Sequence, residues 1–272
     1  MDIIIATFRR LHKQISLNNF PEEYKPRVCL VVQPQEEEEA RKVHSNVWVL
    51  SEDNIGYANT IKEITYEWSV NRKTNFWMMD DDLDFYQNFP EGDKGHKEKM
   101  ILSEHFDEML METEKWFSEG IIHAALGTTW VMPWDKQPYL NNSRVCGNKF
   151  YNGKELAKIW NDIDWVGCCG AEDFYVTIQL LTKGFPNKVW YKYVVSPGPS
   201  YDEGGCSDYR DLEYHNNSCK ELASKFPEFV KLKENIVKSG PWKGIPKLGC
   251  HVQWKKAYES SQKSSLTEFF NE

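Results

Sequence analysis

Asp80, Asp81 and Asp82 stand directly after the apolar run Asn75-Phe76-Trp77-Met78-Met79. Three carboxylates crowded at the end of a buried strand repel one another and resist desolvation, and a divalent cation removes that cost. In an extended chain Asp80 and Asp82 point to one face and Asp81 to the other. The first and third can then converge on one metal while the middle one anchors the loop. Hard oxygen ligands suit Mn2+ or Mg2+, which keep open positions for diphosphate oxygens. The alternative is an acidic, solvated strand end, with Asp84 as a turn or supporting residue.

A second constellation is Gly170-Ala171-Glu172-Asp173-Phe174, two acids in the first turn of a helix behind a glycine. One reading is capping of the helix dipole by carboxylates. The other is catalytic: one carboxylate takes a proton from an acceptor hydroxyl while its neighbour orients it. A third group lies late in the chain, at Lys238, Trp242-Lys243, Lys247, His251 and Trp254-Lys255-Lys256. Such a cation-rich loop can close over a diphosphate and exclude water, and His251 can complete a metal shell. His215 competes for that metal role and Arg210 for the phosphate. Asn54-Ile55-Gly56-Tyr57-Ala58-Asn59, at a helix start, offers backbone donors and amides to a ribose, base or phosphate.

These residues need a scaffold of strands and helices. Ile3-Ile4-Ile5-Ala6-Thr7, Arg27 to Gln33, Asn46 to Leu50 and Asn75 to Met79 are apolar runs of the kind covered on both faces, with helical segments between them. Alternation of β and α predicts a largely parallel open sheet over residues 1 to about 85, with ligands at the carboxyl ends of its strands. Further on, Asn88 to Lys99 reads as a charged loop, Glu104 to Gly120 as a helix and Ile121 to Val131 as a strand. Pro133 to Gly153 reads as a polar excursion, Glu172 to Lys183 as a helix, the stretch from Val189 as a strand, and Leu212 to Phe226 as a helix. The expected organisation is one α/β domain over 1–258, with 1–85 as a Rossmann-like nucleotide-sugar-binding half and 86–258 as an acceptor and catalytic half. A flexible tail follows at 259–272.

The 272 residues suffice for one sizeable core. Eleven Trp residues suggest flat contact surfaces on which sugars or bases stack. A net charge of −8 argues against a protein positive all over that grips nucleic acid by charge alone, and leaves local basic patches open. Seven Cys with no C-x-x-C pair indicate free thiols in a reducing compartment. No basic leader and no apolar run of about 20 residues is present, so a cytoplasmic protein without a membrane span is expected.

Thr7-Phe8-Arg9, Asn54 to Asn59, the Asp80 to Asp82 run and Gly170 to Asp173, in this order, resemble the GT-A class of glycosyltransferases over roughly residues 1 to 195. Glu203 to Arg210 and His251 to Tyr258 further resemble the TET-associated glycosyltransferases of phages, which decorate hydroxymethylated DNA bases. The resemblance implies a GT-A-type fold, a mixed and mostly parallel sheet flanked by helices. It implies transfer of glucose from UDP-glucose to 5-hydroxymethylcytosine, bare or glucosylated, in double-stranded phage DNA within the host cytoplasm. It further implies that Thr7 and Arg9 flank the nucleotide, that Asp80 touches donor ribose or sugar with Asp81 beside it, and that Asp82 ligates the metal. Glu172 or Asp173 is then the base of an inverting displacement. Two other readings stay open: a protein, glycan or lipid acceptor in a groove lined by Trp130, Trp134, Tyr139 and Phe150, or a non-catalytic nucleotide- or DNA-binding module.

Overall fold

The computed structural model describes residues 1–89, 96–100, 102–129, 138–198, 204–238 and 240–271. Its strands, in chain order, are β1 (Asp2–Ala6), β2 (Val28–Val32), β3 (Val47–Val49), β4 (Phe76–Asp80), β5 (Leu83–Phe89) and β6 (His96–Lys99). They continue with β7 (His123–Thr128), β8 (Tyr139–Asn141), β9 (Asn148–Tyr151), β10 (Asn187–Pro197), β11 (Val230–Ile236) and β12 (Pro246–Val252). The main sheet has the order β3-β2-β1-β4-β9-β7-β10-β5-β6, with β8 paired to β10. The first four strands are parallel, and β9, β5 and β8 run against the rest. This is the mixed, mostly parallel α/β sheet that the sequence leads one to expect.

Consecutive residues of each buried strand serve opposite faces, as a period of two requires. Ile3, Ile5, Trp77 and Met79 pack on one side against Leu17 and Phe20 of α1 (Ile15–Asn19) and its sequel. Phe106, Met109 and Trp116 of α4 (Leu102–Ser118) join them there. Between these two in sequence lie α2 (Glu37–Val43) at the sheet edge and α3 (Tyr57–Thr65) on the other face. There Ile4, Val31 and Met78 meet Ile61 and Ile64 of α3, Leu156 of α5 (Gly153–Ile159), and Val176 and Leu180 of α6 (Glu172–Thr182). A third apolar cluster joins α6 to α7 (Leu212–Lys225), the antiparallel β11–β12 hairpin and α8 (Trp254–Asn271) through Ile178, Leu181, Leu222, Val230, Val252 and Ala257. Among the described residues no helix is long and apolar enough to cross a membrane.

Three expectations need correcting. Much of the loop expected over Asn88 to Lys99 is strand, because the backbones of Tyr86 to Phe89 pair with β6. The charged His-Lys-Glu-Lys run forms an outermost strand, where charge opposes edge-to-edge association. The polar excursion from Pro133 contains β9, which is buried throughout and inserted antiparallel between β4 and β7. Asn148 is tolerated there because its amide serves both backbone groups of Leu126, accepting from the N–H at 2.7 Å and donating to the carbonyl at 3.1 Å. Phe150 does not line a sugar groove; it is fully buried and stacks on Trp77 at 4.6 Å between ring centroids. Tyr139 packs edge-on to Trp116, while Trp130, Trp134 and Glu203 lie outside the described residues. The segment from Glu259 continues α8, and the side chains from residue 263 on are not described.

His123 on β7 is buried, with Nε2 3.2 Å from the Asn187 amide, and burial pushes its pKa down to about 3. An unfolded imidazole titrates near 6.5, so between about pH 6.5 and pH 3 the unfolded chain binds the extra proton. The resulting stability is whole above pH 6.5 and is lost on acidification at about 1.4 kcal/mol per pH unit. Urea unfolding at pH 7 and pH 5 tests this: His123→Asn should lose about 2 kcal/mol less than the wild type between the two. Equal losses would assign the acid limb to other groups.

Candidate active site

The parallel register sets Ala6 beside Asp80, so the residues that follow, Thr7 and Asp81, leave the sheet side by side. Thr7 Oγ1 donates to Asp81 Oδ2 at 2.5 Å, and the Gln14 amide donates to Thr7 Oγ1 at 2.9 Å. Arg10 bridges two carboxylates, reaching Asp81 Oδ1 at 3.4 Å and Asp82 Oδ2 at 2.9 Å. Burial raises the Asp81 carboxyl to about 6, against the hydrogen bond from Thr7 and the charge of Arg10. Asp81 is therefore the inward anchor that ties the turn after β4 to the turn after β1.

Asp80 accepts from the Tyr57 hydroxyl at 2.5 Å through Oδ1. Burial, with repulsion from Asp82 and Asp173, raises its carboxyl to about 7 in spite of Lys149. Gly147 connects this acid to the second constellation. Its carbonyl accepts from Asp80 N at 3.0 Å, and its N–H donates to Asp173 Oδ2 at 3.1 Å. A Cβ at this position, where φ is +70°, would sit 3.4 Å from Asp80 Oδ2. Lys149 Nζ lies 2.6 Å from Asp173 Oδ1 with the lysine 3% exposed. Burial opposes both charges, yet Lys149 is held protonated by Asp173 and Asp80, and Asp173 is held ionised by Lys149. Glu172 is buried and receives Arg210 on Oε1 at 2.7 Å; its Oε2 has no hydrogen-bond partner among the described residues.

Both acid pairs thus face one cavity of about 710 Å³ at the carboxyl ends of the parallel strands. Thr7, Arg9, Asn54, Gly56, Asp80, Asp81, Asp82, Glu172, Asp173 and Lys247 all line it. Three expected residues do not. Asn59 is exposed on α3 with its amide turned back to Ile55 O at 2.8 Å. Lys243 is exposed in the turn between β11 and β12, and His251 is exposed on β12 opposite Lys231. His215 lines the cavity instead, with Nε2 2.8 Å from the Leu248 carbonyl. Arg9 pairs with Asp208 at 3.0 Å, and Arg210 is engaged by Glu172.

Sequence reasoning missed Arg10, Tyr57, Lys149 and Arg144. Arg144 lines both this cavity and an adjoining pocket of about 520 Å³. Its guanidinium lies 4.7 Å from the Phe174 ring centroid, no carboxylate pairs with it among the described residues, and its Nε is buried without a partner. A cation left open in this way suits an anionic ligand. Only Lys149 carried a signal in the sequence, as a lysine inside the run Asn148-Lys149-Phe150-Tyr151.

A divalent cation fits the donor set at Asp80 and Asp82. Their carboxylates repel each other on one turn and burial raises the Asp80 carboxyl, while one oxygen of each is bonded, by Tyr57 and by Arg10, and the other is left for a cation. No group of three His, Cys, Asp or Glu able to hold a metal occurs among the described residues. Two carboxylates completed by diphosphate oxygens and water match the way Mg2+ and its relatives are held in nucleotide sites.

A parallel half-sheet with acids around one cavity at the carboxyl ends of its strands is where an α/β enzyme binds its ligand, and the sequence makes this one a glycosyltransferase. The chain is a member of the TET-associated glycosyltransferase family, whose sequence model matches residues 1–198. It is similar to two enzymes named beta-glucosyl-HMC-alpha-glucosyl-transferase, from Enterobacteria phages T2 and T6. Each is 24% identical over 251 residues, which cover 87% of this chain and 85% of the relative. Among solved structures, S. aureus TarS 1-349 aligns at TM-score 0.41 and 13% identity, over 82% of this chain and 66% of that one. A second TarS structure aligns at 0.43 and 11%, over 82% and 40% of the respective chains.

Lys149 against Asp173 gives a direct test of the geometry. Removing one member of a buried pair leaves a naked charge and costs about 3–5 kcal/mol. Lys149→Met should lose about that much in urea unfolding, and adding Asp173→Asn should recover at least about 1 kcal/mol. Strictly additive losses would show that the two side chains do not interact.

Proposed function

We propose that this chain transfers glucose from UDP-glucose to 5-hydroxymethylcytosine in double-stranded DNA, bare or already glucosylated, with inversion at the anomeric carbon. The observation that carries the reading is the single cavity in which Asp80 and Asp82 face Glu172 and Asp173. The names of the phage relatives supply the glucosyl group and a glucosyl-HMC acceptor, and their "alpha-glucosyl" is opposite to the β-linked product of inversion, which the NMR readout below decides.

The nucleotide lies along Thr7 to Arg9 and Asn54 to Gly56, at the open ends of β1 and β2. Asp80 and Asp82 would hold Mn2+ or Mg2+, which when bound would offset negative charge on the diphosphate. Arg144 and Lys247 approach the same phosphates from the far wall. On the acceptor side Asp173 has both oxygens engaged, by Lys149 and by Gly147 N–H. Glu172 keeps one oxygen unbonded and fits the role of base, taking the hydroxymethyl or sugar hydroxyl proton as the oxygen attacks. Arg210 fixes its orientation. Attack opposite the diphosphate turns the α-linked donor into a β-linked product.

A donor screen tests the reading. UDP-sugars with Mn2+ or Mg2+ are offered to duplexes containing hydroxymethylcytosine or its glucoside, and the nucleosides are weighed. One added hexose from UDP-glucose is expected, lost with chelator and β-linked by NMR. UDP release with no duplex modified would move the acceptor away from DNA. Glu172→Gln should lower kcat by about 10²–10⁴ while leaving UDP affinity unchanged. Activity that survives in Glu172→Gln and vanishes in Asp173→Asn would make Asp173 the base.

A further inference from the structure

The β11–β12 hairpin differs from the rest of the chain in charge. From Val230 to Val252 it holds Lys231, Lys233, Lys238, Lys243 and Lys247 against Glu234 alone, in a chain of net charge −8. None of the five is within ion-pair distance of a carboxylate among the described residues. Several lysines elsewhere, Lys158, Lys188 and Lys192 among them, are paired to a glutamate. Unpaired cations concentrated on one element of an acidic protein mark a surface that meets an anion.

Its apolar side chains are equally unspent. Leu232, Ile236 and Ile245 are 42%, 57% and 42% exposed, three of the seven large hydrophobic side chains left open among the described residues. The anchored end of the hairpin, Val230 and Val252, packs into the cluster with α7 and α8, while β11 beyond Val230 is exposed along its length. The hairpin is also continuous with the site. Trp242, in its turn, lines the donor cavity, and Asn235, Val237 and Lys247 line the adjoining pocket.

We propose that the β11–β12 ribbon docks duplex DNA along its major groove, with the face to which the register assigns Lys231, Lys233 and Lys247 turned to the duplex. The major groove admits a two-stranded ribbon. A substituent on C5 of cytosine projects into that groove, so a ribbon lying there brings the reacting group to the cavity wall of which it is part. The proposal rests on the DNA-acceptor reading above and adds where the duplex is held. It reconciles an acidic chain with a polyanionic acceptor: the repulsion is spread over the body and the attraction is confined to one projecting element.

The experiment uses the full chain and short duplexes with and without hydroxymethylcytosine, read by fluorescence anisotropy from low to physiological salt. Each phosphate neutralised contributes roughly 0.9 to the slope of log K against log salt, so the wild type should give a slope near −3 or steeper. Lys231→Gln/Lys233→Gln/Lys238→Gln should flatten the slope by about two to three and raise the duplex Kd at least about tenfold. UDP-glucose hydrolysis in the absence of DNA should be unchanged, because Lys231, Lys233 and, against the expectation that it closes over the diphosphate, Lys238 are exposed and line neither pocket; the corresponding triple Arg variant should bind like the wild type. Lys238→Gln alone, expected to flatten the slope by about one, carries the test should the triple variant misfold. Unchanged affinity and slope in these variants would overturn the proposal. So would a wild type that binds anionic phospholipid vesicles and not the duplex. Lysine-dependent binding without any modification of the duplex would leave the docking surface standing and refute the acceptor reading instead.

Discussion

Lys149 is the charge on which the site depends. Asp80, Asp82, Glu172 and Asp173 converge on one cavity, and without a buried cation their mutual repulsion would force protons onto them or open the sheet. Lys149 meets Asp173 directly and faces Asp80, and Gly147, two residues earlier, bonds to both acids through its backbone. The strand that delivers these two residues, β9, is the one that separates β4 from β7. Charge balance and sheet topology are thus one constraint.

The division of labour follows from it. Asp81 is buried and bonded by Thr7, while Asp80, bonded by Tyr57, and Asp82, bonded by Arg10, border the donor cavity. Asp173 is spent on Lys149, which leaves Glu172 with an unbonded oxygen. Each run of acids therefore contains one member that fixes the turn and at least one that remains available for chemistry. Arg144 and Lys247, on the far wall, supply positive charge that no carboxylate among the described residues uses up.

The parallel half of the fold was legible because β1, β2 and β4 are covered on both faces and read as unbroken apolar runs. β9 was not, since two of its four residues are Asn148 and Lys149, whose burial is justified only by partners distant in sequence: Leu126 for one, Asp173 for the other. β6 escaped notice because its His-Lys-Glu-Lys run at the sheet edge has no apolar period, and β5 because Gln87-Asn88 interrupts the alternation of Leu83, Phe85 and Phe89. The acid motifs were visible as crowded like charges, but the cations that balance them were not: Arg10 looks like an ordinary surface residue until the chain is folded, and Lys149 is marked only by the aromatic residues that follow it. His215 and His251 illustrate the same limit. Nothing local separates them, and only the packing of α7 against β12 sets one on the cavity and leaves the other exposed.

The central claim is that Asp80 and Asp82 grip a cation on the donor's diphosphate. Calorimetric titration of UDP into the wild type, Asp80→Asn and Asp82→Asn, each with Mn2+ and with chelator, tests it most directly. Mn2+ should tighten UDP binding by at least about tenfold, or ~1.4 kcal/mol, in the wild type and by much less in either variant. Equal affinity with and without Mn2+ in the wild type, or an undiminished Mn2+ effect in both variants, would contradict the account.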